Sequence, residues 1–171
     1  MSSIRERMED EQLRALLPRL RRFALSLMRE PCSADELVQM SLECALSRLA
    51  SRDGSASFRS WLFAILYRQF LDLQRGGARW RRLLGMLHPQ ADTQRGTGAR
   101  IAGASLAFAR LSMENRAILL MVTVEGFSYE EAALVLAIPA DSVLQRLVRA
   151  RQVYRQLSEG ARVSAPLRRV K

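Results

Sequence analysis

Three observations predict an all-α protein made of two small helical domains joined by a flexible linker. Apolar residues recur at three- and four-residue steps through most of the chain, the period of an amphipathic helix. Alternating β-branched runs of the kind that make half-buried strands are scarce. Between the two periodic regions lies a stretch holding Gly76, Gly77, Gly85, Gly96, Gly98, Gly103 and Pro89, where the pattern lapses. These features divide the sequence into a first domain over 12–76, a linker over 77–103, a second domain over 104–158 and a basic, disordered tail over 159–171.

The elements follow in order. Leu13, Leu16, Leu17, Leu20, Phe23, Ala24, Leu27 and Met28 line one face of a helix, or of a helix pair interrupted near Pro18. Pro31-Cys32-Ser33 ends it, and Ser33 or Asp35 starts a second helix with Leu37, Val38, Leu42, Ala45, Leu46 and Leu49 as its stripe. Residues 51–57 are small and polar apart from Arg52 and Asp53 and read as a loop. A third helix begins at Phe58, buries Trp61, Leu62, Ile65, Leu66, Phe70 and Leu73, and stops at Arg75-Gly76-Gly77, where glycine supplies a C-cap. Phe58 itself reads equally as core or as surface. The basic cluster Arg79-Trp80-Arg81-Arg82 reads either as a nucleic-acid or polymerase contact or as a solvated run, with room for a short helix over 80–86.

The second domain begins near Ser105. Leu106, Phe108, Leu111, Ile118, Leu119 and Val122 precede a break at Glu125-Gly126. Residues 128–151 then read as a helix-turn-helix. Glu130, Ala133, Leu134 and Leu136 suit a short first helix, and Pro139 breaks it because it lacks an N–H and holds Ile138 extended. Asp141 or Ser142 can cap the next helix. In that helix Val143, Leu147 and Ala150 share one face while Leu144, Gln145, Arg149 and Arg151 point elsewhere. Gln and Arg on the outer face of a helix braced by another is the geometry that reads a major groove. An ordinary helical hairpin with a solvated basic face is the alternative.

Charge agrees with the first of these. The formal net charge is +10, and every basic residue except Lys171 is an arginine. Between Leu144 and Lys171 there are eight basic residues and one acid, Glu159. Such a balance fits a polyanionic partner, with counterion release contributing to affinity. No run of about 18 apolar residues is present to span a bilayer, and the charged N-terminus has no apolar signal-peptide core. Both point to a cytoplasmic location with no membrane insertion. Cys32 and Cys44 are expected to be small, buried or half-buried residues, and with His88 the only histidine there is no metal-ligand spacing. No phosphate-binding loop and no nucleophile–base pair are found. The chain is therefore read as a non-enzyme without cofactor or metal.

Two separated segments resemble one family, the extracytoplasmic-function (group IV) sigma factors of bacterial RNA polymerase. Asp35-Glu36-Leu37-Val38-Gln39 is similar to the family's acidic-acidic-Leu-Val-Gln signature. Phe58-Arg59-Ser60-Trp61-Leu62 is similar to its Phe-Arg-x-Trp-Leu block, with Asp72 and Arg75 at the usual distances behind. Gly126-Phe127-Ser128-Tyr129-Glu130-Glu131-Ala132-Ala133 and Arg146-Leu147-Val148-Arg149-Ala150-Arg151 resemble its C-terminal motifs. The resemblance covers roughly residues 12–157.

This resemblance implies a transcription initiation factor that binds core RNA polymerase and promoter DNA, with an anti-sigma factor as a further partner where one restrains it. Asp35, Glu36 and Gln39 would contact the polymerase β′ subunit. Phe58, Arg59, Arg68, Asp72 and Arg75 would engage the −10 element. The C-terminal domain would dock on the β subunit and read the −35 element through Ser142, Leu144, Gln145, Arg146, Arg149 and Arg151. The chain departs from the family pattern at several places. Arg68 stands where Asn is usual, Met40 replaces an acid, and Leu144 and Gln145 replace a basic residue and a serine. An alternative therefore stays open: a sigma-like adaptor that binds a partner protein without initiating transcription.

Overall fold

The computed structural model describes the backbone of residues 2–52, 54–85 and 103–163, and the side chains of all but the ends of these stretches. No strand occurs among the described residues. The chain divides into two compact units.

The first unit carries α1 (Ser2–Met28), α2 (Pro31–Arg48), a 3-10 turn over Leu49–Ser51, and α3 (Phe58–Gly85). Two expected interruptions are absent. α1 runs unbroken through Pro18. Proline removes one i→i−4 hydrogen bond there, but Pro18 is exposed, and the buried row Leu16, Leu20, Phe23, Ala24 and Leu27 outweighs the loss. Likewise α3 does not cap at Gly76-Gly77 but continues to Gly85, so the first nine residues assigned to the linker, 77–85, are helical. The remainder of that assignment, 86–102, lies outside the described residues.

α1 packs on both α2 and α3. Their shared core is built from Leu20, Phe23, Leu37, Leu62, Phe63, Leu66 and Phe70, all fully buried. Phe23 stacks at a tilt on Phe63 with ring centroids 5.3 Å apart and lies 6.5 Å from the Tyr67 ring. Phe63 and Tyr67 were not expected in the core, because α3 buries a wider arc than one stripe. Leu73, assigned to that stripe, and Leu46, assigned to the stripe of α2, are exposed instead.

α2 starts earlier than expected. Glu30, not Ser33 or Asp35, is its N-cap, with Pro31 at the first helical position. The Glu30 carboxylate accepts hydrogen bonds from the Cys32 and Ser33 amides at 2.9 and 2.6 Å. These donors, Ser33 first, hold its pKa down to about 2 from the ordinary 4.5. A depressed folded-state pKa contributes stability above the unfolded value, which fades as pH falls toward the folded one. Urea midpoints of the first unit should therefore decline between pH 4.5 and about 2, and Glu30→Gln should flatten that decline. Parallel curves for the two proteins would show the cap to be inert. The same carboxylate raises the pKa of the neighbouring Cys32 thiol, which is exposed and not buried as expected; Cys44 is half-buried.

The second unit carries α4 (Gly103–Arg110), α5 (Met113–Leu119), the start of α6 (Tyr129–Leu136) and α7 (Ala140–Val163). α7 packs on α4 and α5, burying Ala107, Leu111, Ile118 and Met121 together with Val143, Leu147 and Ala150. Leu106 is exposed and Phe108 and Val122 are half-buried. Ser112 caps α5 by accepting from the Asn115 amide. The buried Arg116 guanidinium donates to the Leu111 carbonyl at 2.7 Å, satisfying an acceptor at the α4–α5 corner.

α5 ends in a single π-helical turn over Leu120–Val124. There the Glu125 amide reaches back five residues to the Leu120 carbonyl at 2.9 Å and Phe127 reaches Met121 at 3.0 Å. Gly126 follows at φ +66, a left-handed conformation that glycine adopts without strain. This is the break expected at Glu125-Gly126. At the other end α7 extends to Val163, so the first five residues assigned to a disordered tail are helical; 164–171 lie outside the described residues.

Candidate nucleic-acid interface

The second helix of the helix-turn-helix is positioned by a set of local devices. Ser128 and Glu131 form a reciprocal capping box at the start of α6. The Ser128 amide donates to the Glu131 carboxylate at 2.9 Å and the Glu131 amide to the Ser128 hydroxyl at 3.1 Å. α6 buries Ala132, Ala133, Val135 and Leu136, while Leu134, expected on the apolar face, is exposed.

Its end is a Schellman motif. The Ile138 amide bonds the Ala133 carbonyl and the Ala137 amide the Leu134 carbonyl, at 3.1 and 3.4 Å. Such a motif places one residue in the left-handed region, and that residue is Ala137 at φ 52. A left-handed non-glycine residue costs about 1–2 kcal/mol, against about 0.5–1 kcal/mol for the extra chain entropy of glycine. Ala137→Gly is therefore expected to stabilise the protein by about 0.5–1 kcal/mol, read as a raised urea midpoint at unchanged slope. An unchanged or lowered midpoint would refute the assignment.

Pro139 then ends the turn, and α7 begins at Ala140, one residue before the expected cap. The Ser142 amide bonds the Pro139 carbonyl at 3.0 Å, and Asp141 sits in the first turn, where its charge complements the helix dipole. As expected, Val143, Leu147 and Ala150 are buried. Leu144, Gln145, Arg146, Arg149 and Arg151 are all exposed, and Ser142 is half-buried. Between Ser142 and Ser158 the helix contains four arginines and no acid.

In the first unit, two of the three expected polymerase-contact residues already have partners. Asp35 accepts from the Arg21 guanidinium through both oxygens, at 2.6 and 3.0 Å, which lowers its pKa. Gln39 donates to Glu43 at 3.0 Å. Glu36 is exposed beside Met40, and both line a shallow groove with Met28, Ser33, Leu73 and Gln74.

The loop before α3 holds a cluster of Arg52, Phe58 and Trp61. Phe58 and Trp61 are half-buried with ring centroids 5.7 Å apart; Trp61 was assigned to the core. The Arg52 guanidinium lies over both rings, 5.6 and 5.8 Å from their centroids, and donates to the Ala56 carbonyl. Arg52 was not anticipated; a cation six residues ahead of a Phe-Arg-x-Trp block is too common a pattern to single out. Arg59 is half-buried, Arg68 is exposed, and Asp72 and Arg75 form a loose exposed pair at 3.5 Å.

Comparison with known proteins places these two units. The family model for the sigma2 domain of PhyR matches residues 13–67, and the model for sigma-70 region 4 matches residues 105–152. An ECF RNA polymerase sigma factor, EcfG of Rhodopseudomonas palustris, is 31% identical over 144 residues, spanning 82% of this chain and 80% of the relative. The chain belongs to the ECF sigma-factor family.

Solved structures agree on the fold. The sigma factor RpoE of Bartonella quintana, determined in complex with the anti-sigma factor NepR, is 27% identical with a TM-score of 0.73, covering 88% of this chain and 96% of RpoE. The anti-anti-sigma factor PhyR of the same organism, also complexed with NepR, is 23% identical with a TM-score of 0.55; the match covers 86% of this chain and 49% of PhyR. In this sigma-factor chain α1–α3 hold the sigma2-type segment and α4–α7 the region-4 helix-turn-helix. Among the described residues no helix is long and apolar enough to cross a membrane.

Proposed function

We propose that this sigma-factor family member binds core RNA polymerase through α2 and directs it to promoters that α7 reads at the −35 element. The outer face of α7 carries the reading: Gln145 and Arg149 are exposed along a segment without acids, with Arg151 exposed on the flank toward the phosphates, and the helix is held by buried Val143, Leu147 and Ala150. Gln pairs best with adenine, and Arg with guanine or phosphate. Ser142 and Arg146 flank the face as backbone contacts. On α2, Glu36 and Gln39 meet β′, with Arg21 orienting Asp35. Phe58, Arg59, Arg68, Asp72 and Arg75 serve the −10 element, where half-buried rings under a guanidinium suit an unstacked base.

A second reading has its own support. The first unit matches the sigma2 domain of PhyR, an anti-anti-sigma factor, so a sigma-like adaptor that engages an anti-sigma factor would use the same α2 surface. A gel-shift with promoter-length duplexes separates the two. Under the initiation reading, core polymerase plus this chain retains specific duplexes that neither retains alone. An adaptor would leave the DNA profile of the core unchanged.

A further inference from the structure

The exposed residues of α7 fall into two adjacent rows that differ in chemistry. One row, at i, i+4, i+7 and i+11, is Leu144, Val148, Arg151 and Arg155; the next is Gln145, Arg149, Gln152 and Gln156. All eight are exposed, and Leu144 and Val148 remain 49% and 46% accessible. Two apolar side chains at i and i+4 on a helix face touch each other, so together they make one continuous apolar strip along the first half of the helix. Solvent gains nothing from that strip. It sits on the N-terminal half of the second helix, the part that reaches base edges when such a helix enters the major groove.

Only one major-groove feature is apolar: the C5-methyl group of thymine. Resting on the proposal that α7 reads DNA, we infer that Leu144 and Val148 form a thymine-methyl contact that selects T at two neighbouring positions of the −35 element. Charge on the same row supports duplex DNA as occupant over an amphipathic protein helix. The apolar pair continues into Arg151 and Arg155 with no acid from Ser142 to Ser158, the arrangement that a base-contacting half followed by a phosphate-contacting half requires. The neighbouring Gln row then supplies amide donors and acceptors for adenine. Specificity in this member would thus rest on A·T pairs read by Gln145 and the apolar strip, with the arginines providing affinity.

The test replaces thymine by deoxyuridine, which removes the methyl and keeps every hydrogen-bonding group. The full chain with core polymerase is used to select duplexes randomised over the −35 region. Each thymine of the selected sequence is then replaced in turn. Burial of one methyl group predicts a loss of about 3–5-fold in affinity at each of two positions. Leu144→Ala should abolish the loss at one position and Val148→Ala at the other, with helicity unchanged because both side chains are exposed. A selected site whose deoxyuridine forms bind as well as the thymine form overturns the inference and leaves DNA reading by α7 standing. Failure to select any site, with core binding intact, overturns both and assigns the strip to a protein partner.

Discussion

Phe23→Ala is expected to destabilise the first unit by about 3–5 kcal/mol, the range for emptying a fully buried aromatic site. Phe23 of α1 meets two rings of α3, Phe63 and Tyr67, and it has no exposed surface. Its loss opens a cavity among rings already in contact, which helices spanning tens of residues cannot close by small shifts. Trp61 lies half-buried on α3, so its fluorescence during urea unfolding reports this unit. A midpoint shift corresponding to under about 1 kcal/mol would mean that α1 does not anchor α3.

The second large effect concerns DNA. Gln145→Ala should relax preference at one base pair of the −35 element, at a cost of about 1–3 kcal/mol in discrimination. Arg151→Ala should weaken binding to all sequences alike and reduce the salt slope by about one counterion. The contrast is the informative quantity. Gln145 lies on the row opposite the buried Val143–Leu147–Ala150 face, whereas Arg151 lies on the flank, nearer the phosphates when the helix lies in a groove. Selected consensus sequences and salt titrations of both variants decide it. If Gln145→Ala returns the wild-type consensus, the register assigned to α7 is wrong.

What the sequence could and could not disclose follows from where the determining forces act. The two-unit, all-α organisation was legible because amphipathic periodicity and the glycine-rich interval are local signals. The buried row of α7 was legible for the same reason. Helix ends were not. Pro18 and Gly76-Gly77 are weak points that long helices with a packed face tolerate, and no local pattern reports that packing. The N-cap of α2 was missed because Glu is an uncommon cap, favoured here by Pro31 behind it. On the first-unit surface Asp35, Glu36 and Gln39 are exposed, but the pairing of Asp35 with Arg21 and of Gln39 with Glu43 depends on tertiary contact and side-chain rotamers. Arg52 was missed for a like reason: it meets Phe58 and Trp61 only where the loop folds onto α3. The exposure of Val148 beside Leu144 was within reach, since i+4 spacing alone joins them.

Run-off transcription separates an initiation factor from an adaptor. Purified core polymerase, with and without this chain, is supplied with a template carrying the selected −35 element and a randomised −10 region. An initiation factor gives discrete transcripts that require the chain, with transcript yield reduced together with core affinity by Glu36→Ala and Gln39→Ala. Arg68→Ala is expected to reduce yield at unchanged core affinity. A chain that binds core polymerase and the selected duplex yet yields no transcript from any member of the template pool would contradict initiation and leave the sigma-like adaptor as the correct description.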